Sequence, residues 1–221
     1  MSVYLKQIEL GPMQNFAYLL GDPARKVCWI VDPAWNFQEA WEAAGRDGFS
    51  IDAVLLTHSH YDHCNALESR EFPKALPVYL HEEERTFAAS VDARGLCPRL
   101  PEKQLRTVRA GETLTLGSLS IVCLHTPGHT PGGVCYLAGS DLLTGDTLFV
   151  DTCGRTDLPG GDMEGLRHSL HQVLAPVDDS VTVWPGHNYS ELPHDTLGRI
   201  RQENPFYTTF RRTGRDRNLP L

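Results

Sequence analysis

Four short segments, three of them framed by glycine or proline, follow apolar, strand-like runs, and each carries histidine or aspartate. The densest follows the run Ala53-Val54-Leu55-Leu56-Thr57. It reads His58-Ser59-His60-Tyr61-Asp62-His63, three imidazoles and one carboxylate in six positions. A helix or strand would spread these side chains around its axis. A loop leaving a buried strand can curl and aim all four inward. Neutral imidazole and carboxylate suit zinc, iron or manganese. Four such groups exceed what one tetrahedral ion with an open position needs, so they read as shared between two ions.

The other three segments complete the set. Thr126-Pro127-Gly128-His129-Thr130-Pro131-Gly132 places a histidine in a tight turn after a strand-like run. Thr144-Gly145-Asp146 and Pro185-Gly186-His187 each place a ligand at a strand end. Glycine lets the backbone bend so that the side chain points back over the sheet edge. Any one of these histidines alone reads as structural. Together they describe strand ends meeting on one rim, which preorganises a site.

Around this rim the sequence predicts strands at 6–10, 16–20, 27–32, 53–57, 78–80, 113–116, 119–125, 133–137, 141–144 and 181–184. It predicts helices at 37–46, 65–70, 81–89, 162–174 and 196–204, with 90–104 as a loop. Asp162 is placed as an N-cap, with Leu166, Leu170 and Leu174 on one helix face, and Pro205 ends the last helix. Strands and helices alternate in two similar halves without a linker. The expectation is one domain over residues 1–221, with helices outside two packed sheets.

The chain has 221 residues, enough for a large core, and its hydrophobic fraction of 41% is ordinary for a globular protein. A net charge of −8 excludes a nucleic-acid binder driven by backbone phosphates and a polybasic membrane anchor. No run is long enough to span a membrane and no signal peptide is visible, so a cytoplasmic protein is expected. Six cysteines without a C-x-x-C pair are expected as reduced thiols.

The series His-x-His-x-Asp-His, Pro-Gly-His-Thr-Pro-Gly, Gly-Asp and Gly-His resembles the metallo-β-lactamase superfamily, from about residue 14 to 205. The resemblance implies an α+β fold, an αββα sandwich with metals at one sheet edge. It places His58, His60 and His129 on a first metal and Asp62, His63 and His187 on a second, with Asp146 bridging. Asp62 and Asp146 are then the carboxylates at the reaction centre, holding metal rather than acting as free bases. Zinc is the expected ion for both positions, with iron or manganese as alternatives.

Within the superfamily, Asp146 stands where common zinc β-lactamases place cysteine. Residues 144–150 and Asn204-Pro205-Phe206 resemble glyoxalase II and its short bacterial relatives. That implies hydrolysis of a thioester or related acyl ester, lactones included, by a hydroxide held between two metals. The substrate would be a small molecule, a glutathione thioester among the candidates. Cys153-Gly154-Arg155-Thr156-Asp157 and Tyr189 also resemble persulfide dioxygenases, in which His58, His129 and Asp146 would hold one iron. Leu158-Pro159 and Tyr61 depart from that pattern. Arg155 and Tyr189 are candidate substrate contacts, with an ion pair between Arg155 and Asp157 as the competing reading. His125 reads as a structural hydrogen bond, and the tail arginines Arg211, Arg212, Arg215 and Arg217 as a solvated end.

Overall fold

The computed structural model describes residues 2–90 and 94–213. These form two six-stranded mixed sheets, each laid out in chain order. The first holds β1 (Tyr4–Leu10), β2 (Asn15–Asp22), β3 (Val27–Val31), β4 (Ser50–Leu55), β5 (Val78–His81) and β6 (Leu105–Val108). The second holds β7 (Thr113–Leu116), β8 (Leu119–His125), β9 (Val134–Ala138), β10 (Asp141–Gly145), β11 (Thr182–Pro185) and β12 (Asp195–Thr196). The helices are α1 (Phe37–Arg46), α2 (Tyr61–Cys64), α3 (Glu82–Ala88), α4 (Met163–His168), α5 (Leu197–Glu203) and α6 (Pro205–Thr213).

Strand alternation builds the layers. In β2, Phe16, Tyr18 and Leu20 join Trp29, Val31 and Leu55 in a core that includes Leu114, Leu116, Ile121, Val134, Tyr136 and Leu143 of the second sheet. Ala17 and Leu19 point the other way, against Phe37, Ala40 and Ala43 of α1. On the far side, Leu142 and Val183 pack with Leu166, Leu170, Leu174, Leu197 and Ile200. A strand buried on both faces needs an apolar run rather than strict alternation, which is what β2 and β4 supply. The result is the expected αββα sandwich.

Several boundaries differ from expectation. The strand expected at 53–57 begins at Ser50, because Ser50 and Ile51 pair in parallel with Val27 and Cys28. β6 falls just beyond the expected loop, where Leu105 and Val108 turn inward and Arg106 and Thr107 face out. Residues 65–70 form only a 3₁₀ turn, Asn65–Glu68, after α2. The helix expected at 162–174 is α4 followed by a π-helical turn, Ser169–Val173, and Asp162 caps it by accepting from Glu164 N at 3.0 Å. Pro205 ends α5 but also begins α6. Proline suits a first helical position because its missing N–H would be unpaired there, and Asn204 Oδ1 caps the turn by accepting from Phe206 N at 2.9 Å. Arg215 and Arg217 of the basic tail lie outside the described residues.

Candidate metal centre

The loop after β4 is fixed before it delivers its first candidate ligand. Thr57 donates its N–H to Asp32 Oδ1 at 2.8 Å and its hydroxyl to Asp32 Oδ2 at 2.6 Å. Asp32 follows β3 with φ +50°, a left-handed conformation that aspartate tolerates better than most residues. The chain then presents His58 and His60, and α2 places Asp62 and His63 on one turn.

His129 enters from the β8–β9 connection, Asp146 from the end of β10 and His187 from the end of β11. Gly186 is required for the last of these. A Cβ there would overlap Asp146 Oδ1 and lie 2.9 Å from His63 Cε1.

The predicted ligands converge. The donor atoms of His58, His60 and His129 lie within 4.8 Å of one another, and so do those of Asp62, His63 and His187. Asp146 stands between the trios. Its Oδ1 is 3.3 Å from His63 Nε2, and its Oδ2 is 3.5 Å from His129 Nε2 and 3.4 Å from His187 Nε2. His187 Nε2 is also 3.3 Å from Asp62 Oδ2.

Outward hydrogen bonds set which ring nitrogen faces inward. His129 Nδ1 donates to the Arg155 carbonyl at 2.7 Å and His187 Nδ1 to the Met13 carbonyl at 2.8 Å. His63 Nδ1 is 3.1 Å from Asp32 Oδ2. Such outer partners fix the tautomer and turn the Nε2 lone pair toward a bound cation. His63 Nε2 and His187 Nε2 then face each other at 3.1 Å, which two lone pairs tolerate only with a proton or a cation between them.

Among the candidate ligands, three buried polar atoms have no hydrogen-bond partner: His58 Nε2, His60 Nε2 and Asp146 Oδ1. An unsatisfied buried polar atom costs about 1–3 kcal/mol. Borderline nitrogen and hard oxygen donors, orphaned together, fit a pair of divalent cations.

The electrostatics divide the centre. Burial, with His63 and His60 nearby, holds the His58 pKa well below its ordinary value. Burial and His129 take His60 to about 3. Both are therefore neutral donors at neutral pH. Burial also opposes charge on His63 and His187, but Asp146 and Asp62 outweigh it, raising His63 well above its ordinary value and His187 to about 9. Burial likewise disfavours ionised Asp146 and Asp62, yet the neighbouring imidazoles keep both below the usual carboxylate range.

Three residues that sequence reasoning missed hold this geometry. Asp32 carried a readable signal, a carboxylate directly after a strand. Asn15 donates to Asp62 Oδ2 at 2.9 Å and accepts from Trp35 Nε1 at 2.7 Å. Glu84 is fully buried. Its Oε1 accepts from Ser59 N at 2.8 Å and Ser59 Oγ at 2.6 Å, and its Oε2 from Thr130 Oγ1 at 2.7 Å and Gly132 N at 3.0 Å. One carboxylate thus clamps the His58–His60 loop to the His129 loop.

The candidate substrate contacts separate. Tyr189 is half exposed and stacks on His187, centroids 4.4 Å apart. The Arg155 guanidinium points out and pairs with Asp157 through two contacts of 2.7 Å, so the residue reaches the centre only through its carbonyl. His125 donates to or accepts a proton at neither trio; its Nε2 is 2.9 Å from the Pro131 carbonyl, the expected structural bond. All six cysteines are free, and Cys153 is a packed thiol that burial pushes up to about 12.

A family model described as the metallo-beta-lactamase superfamily matches residues 10–187. BaeB of Bacillus velezensis, named a probable polyketide biosynthesis zinc-dependent hydrolase, is 31% identical over 87% of this chain and 81% of its own. The crystal structure of BLEG-1, a B3 metallo-beta-lactamase by name, is 34% identical with a TM-score of 0.78, covering 93% of this chain and all of its own. TTHA1623, solved in a di-iron-bound form, is 33% identical with a TM-score of 0.72, covering 91% of this chain and 99% of its own.

Proposed function

Because the chain belongs to the metallo-beta-lactamase superfamily, we propose that it is a dinuclear metal-dependent hydrolase of thioesters or related acyl esters. In this reading His58, His60 and His129 hold one divalent ion, Asp62, His63 and His187 hold the other, and Asp146 is shared. The observation that carries it is the pair of ligand trios meeting at one carboxylate, with three buried donor atoms otherwise unpartnered. A solved relative in a di-iron-bound form supports two ions, and a zinc-dependent relative supports zinc.

Bound cations would supply Lewis acidity and make hydroxide accessible near neutral pH. The protein's own groups do the rest. Hydrogen bonds that the imidazoles donate to Asp32, the Arg155 carbonyl and the Met13 carbonyl hold the rings in place, so no reorganisation is needed when charge develops on the acyl oxygen. Asp62 and Asp146 stay ionised and keep the centre from accumulating positive charge. Tyr189, against His187, and the exposed Met13 and Tyr61 offer apolar surface for an acyl chain. Arg155 reaches substrate only by leaving Asp157. A relative named a probable polyketide biosynthesis zinc-dependent hydrolase supports metal-dependent hydrolysis.

The second reading is a mononuclear iron persulfide dioxygenase. It has structural support, since His58, His129 and Asp146 also come together, with His129 and Asp146 3.5 Å apart. One experiment separates the two. Purified protein is assayed for thiol release from a hydroxyacyl-glutathione thioester and from a simple acyl thioester, and for oxygen uptake with glutathione persulfide. A β-lactam and a lactone serve as competing substrates. Thiol release without oxygen uptake is the expected result. Oxygen uptake with iron bound and no thiol release establishes the second reading.

A further inference from the structure

A second cluster of ligating side chains lies on the same rim but outside the centre. His81 ends β5, Glu83 opens α3 and His125 ends β8, and their donor atoms all lie within 4.8 Å of one another. The two imidazoles are stacked, centroids 4.0 Å apart and planes 15° apart. Glu83 Oε2 stands 4.0 Å from His125 Nε2, and the Glu83 side chain is 58% exposed.

We propose that His81, Glu83 and His125 form an accessory site for a divalent transition metal, zinc or an ion of similar preference. Two imidazoles and one carboxylate are a donor set for such ions, and three protein ligands leave a position for water. Burial and the neighbouring His125 push the His81 pKa down to about 4, so the ring is neutral at neutral pH; its Nδ1 accepts from Glu83 N at 3.4 Å, a long contact that an ion on that nitrogen would replace. Ligand bonds of ~2.0–2.2 Å require the donors to draw in by roughly 1 Å, and the exposed Glu83 side chain is the part able to move. A cleft of about 360 Å³ lined by Glu83, Thr86, Phe87, Ser90, Pro131 and Gly160 opens beside the Glu83 side chain.

The position has a consequence for the main centre. His125 bonds the Pro131 carbonyl in the His129 loop, and Glu83 precedes Glu84, which clamps that loop to the His58–His60 loop. An ion at the accessory site therefore braces the clamp.

The test is zinc titration by calorimetry on the metal-loaded, desalted protein, beside the variants Glu83→Gln and His125→Gln. Glu83 is exposed, so its variant is expected to fold, and thermal melting verifies this for both. The wild type should bind one more equivalent than Glu83→Gln, or bind that equivalent at least 10-fold more tightly, and His125→Gln should lose it as well. The readout is a difference between proteins at equal loading, so it does not depend on how many ions the main centre takes. Equal stoichiometry and affinity in the wild type and a folded Glu83→Gln would overturn the proposal.

Discussion

Asp146 sits within 3.5 Å of His63, His129 and His187, between the two trios. Asp146→Ala should lose metal and hydrolysis together, by more than the ~10–100-fold typical of removing an outer partner. Metal analysis of the purified variant checks this, and full occupancy would speak against a shared carboxylate. Glu84→Gln belongs to the outer class. Its amide nitrogen would face either Ser59 N–H or Gly132 N–H, so a drop of ~10–100-fold in metal affinity is expected, read by competition with a chelator. The protonation of His63 and His187, both raised by the neighbouring carboxylates, sets the pH behaviour. With a pKa of about 9, His187 carries a proton in the metal-free protein at pH 7, so metal uptake there should release protons, and affinity should weaken as pH falls below about 9. That raised pKa contributes to metal-free stability below an unfolded value of ~6.5, and the contribution is lost as pH rises through about 9. A pH-stat trace on zinc addition measures the release. The convergence of the proposed ligands was legible because imidazoles and carboxylates gather at strand ends. Glu84 was not, because Glu82-Glu83-Glu84 reads as a solvated helix face and only packing selects which of the three turns inward.

At the scale of the element, the centre depends on strand ends that bend sharply and approach closely. Gly186 shows this best, since any side chain there would meet Asp146 and His63. Gly186→Ala should lower activity on the order of 100-fold, the loss that a displacement of about 1 Å in a site can bring, with a much smaller change in melting temperature. Steady-state kinetics alongside thermal melting checks both halves of that expectation. The strands feeding the site were readable from their apolar runs, which must end where the ligands begin. β6 was harder, because Leu105-Arg106-Thr107-Val108 is short and its pairing with β5 is non-local. α6 was hidden because proline stops one helix as readily as it starts the next.

For the whole molecule, the proposed ligands come from both halves of the sandwich. His58, His60, Asp62 and His63 follow the first sheet, and His129, Asp146 and His187 follow strands of the second. Bound metal would therefore tie the two sheets together at one edge. A ligand at 100 times its Kd adds about 2.7 kcal/mol. At ~2–4 °C per kcal/mol for a chain of this size, chelation should lower the melting temperature by roughly 5–10 °C, and zinc should restore it. The layered architecture followed from the order of elements and from strands apolar on both faces. Among the described residues, no helix is long and apolar enough to cross a membrane.

The most direct test is the number of divalent ions that remain on the chain after zinc-supplemented expression and exhaustive dialysis. Two per chain in the wild type, falling in Asp146→Ala, is the predicted result. A protein that hydrolyses thioesters at full rate while retaining no metal would contradict the account.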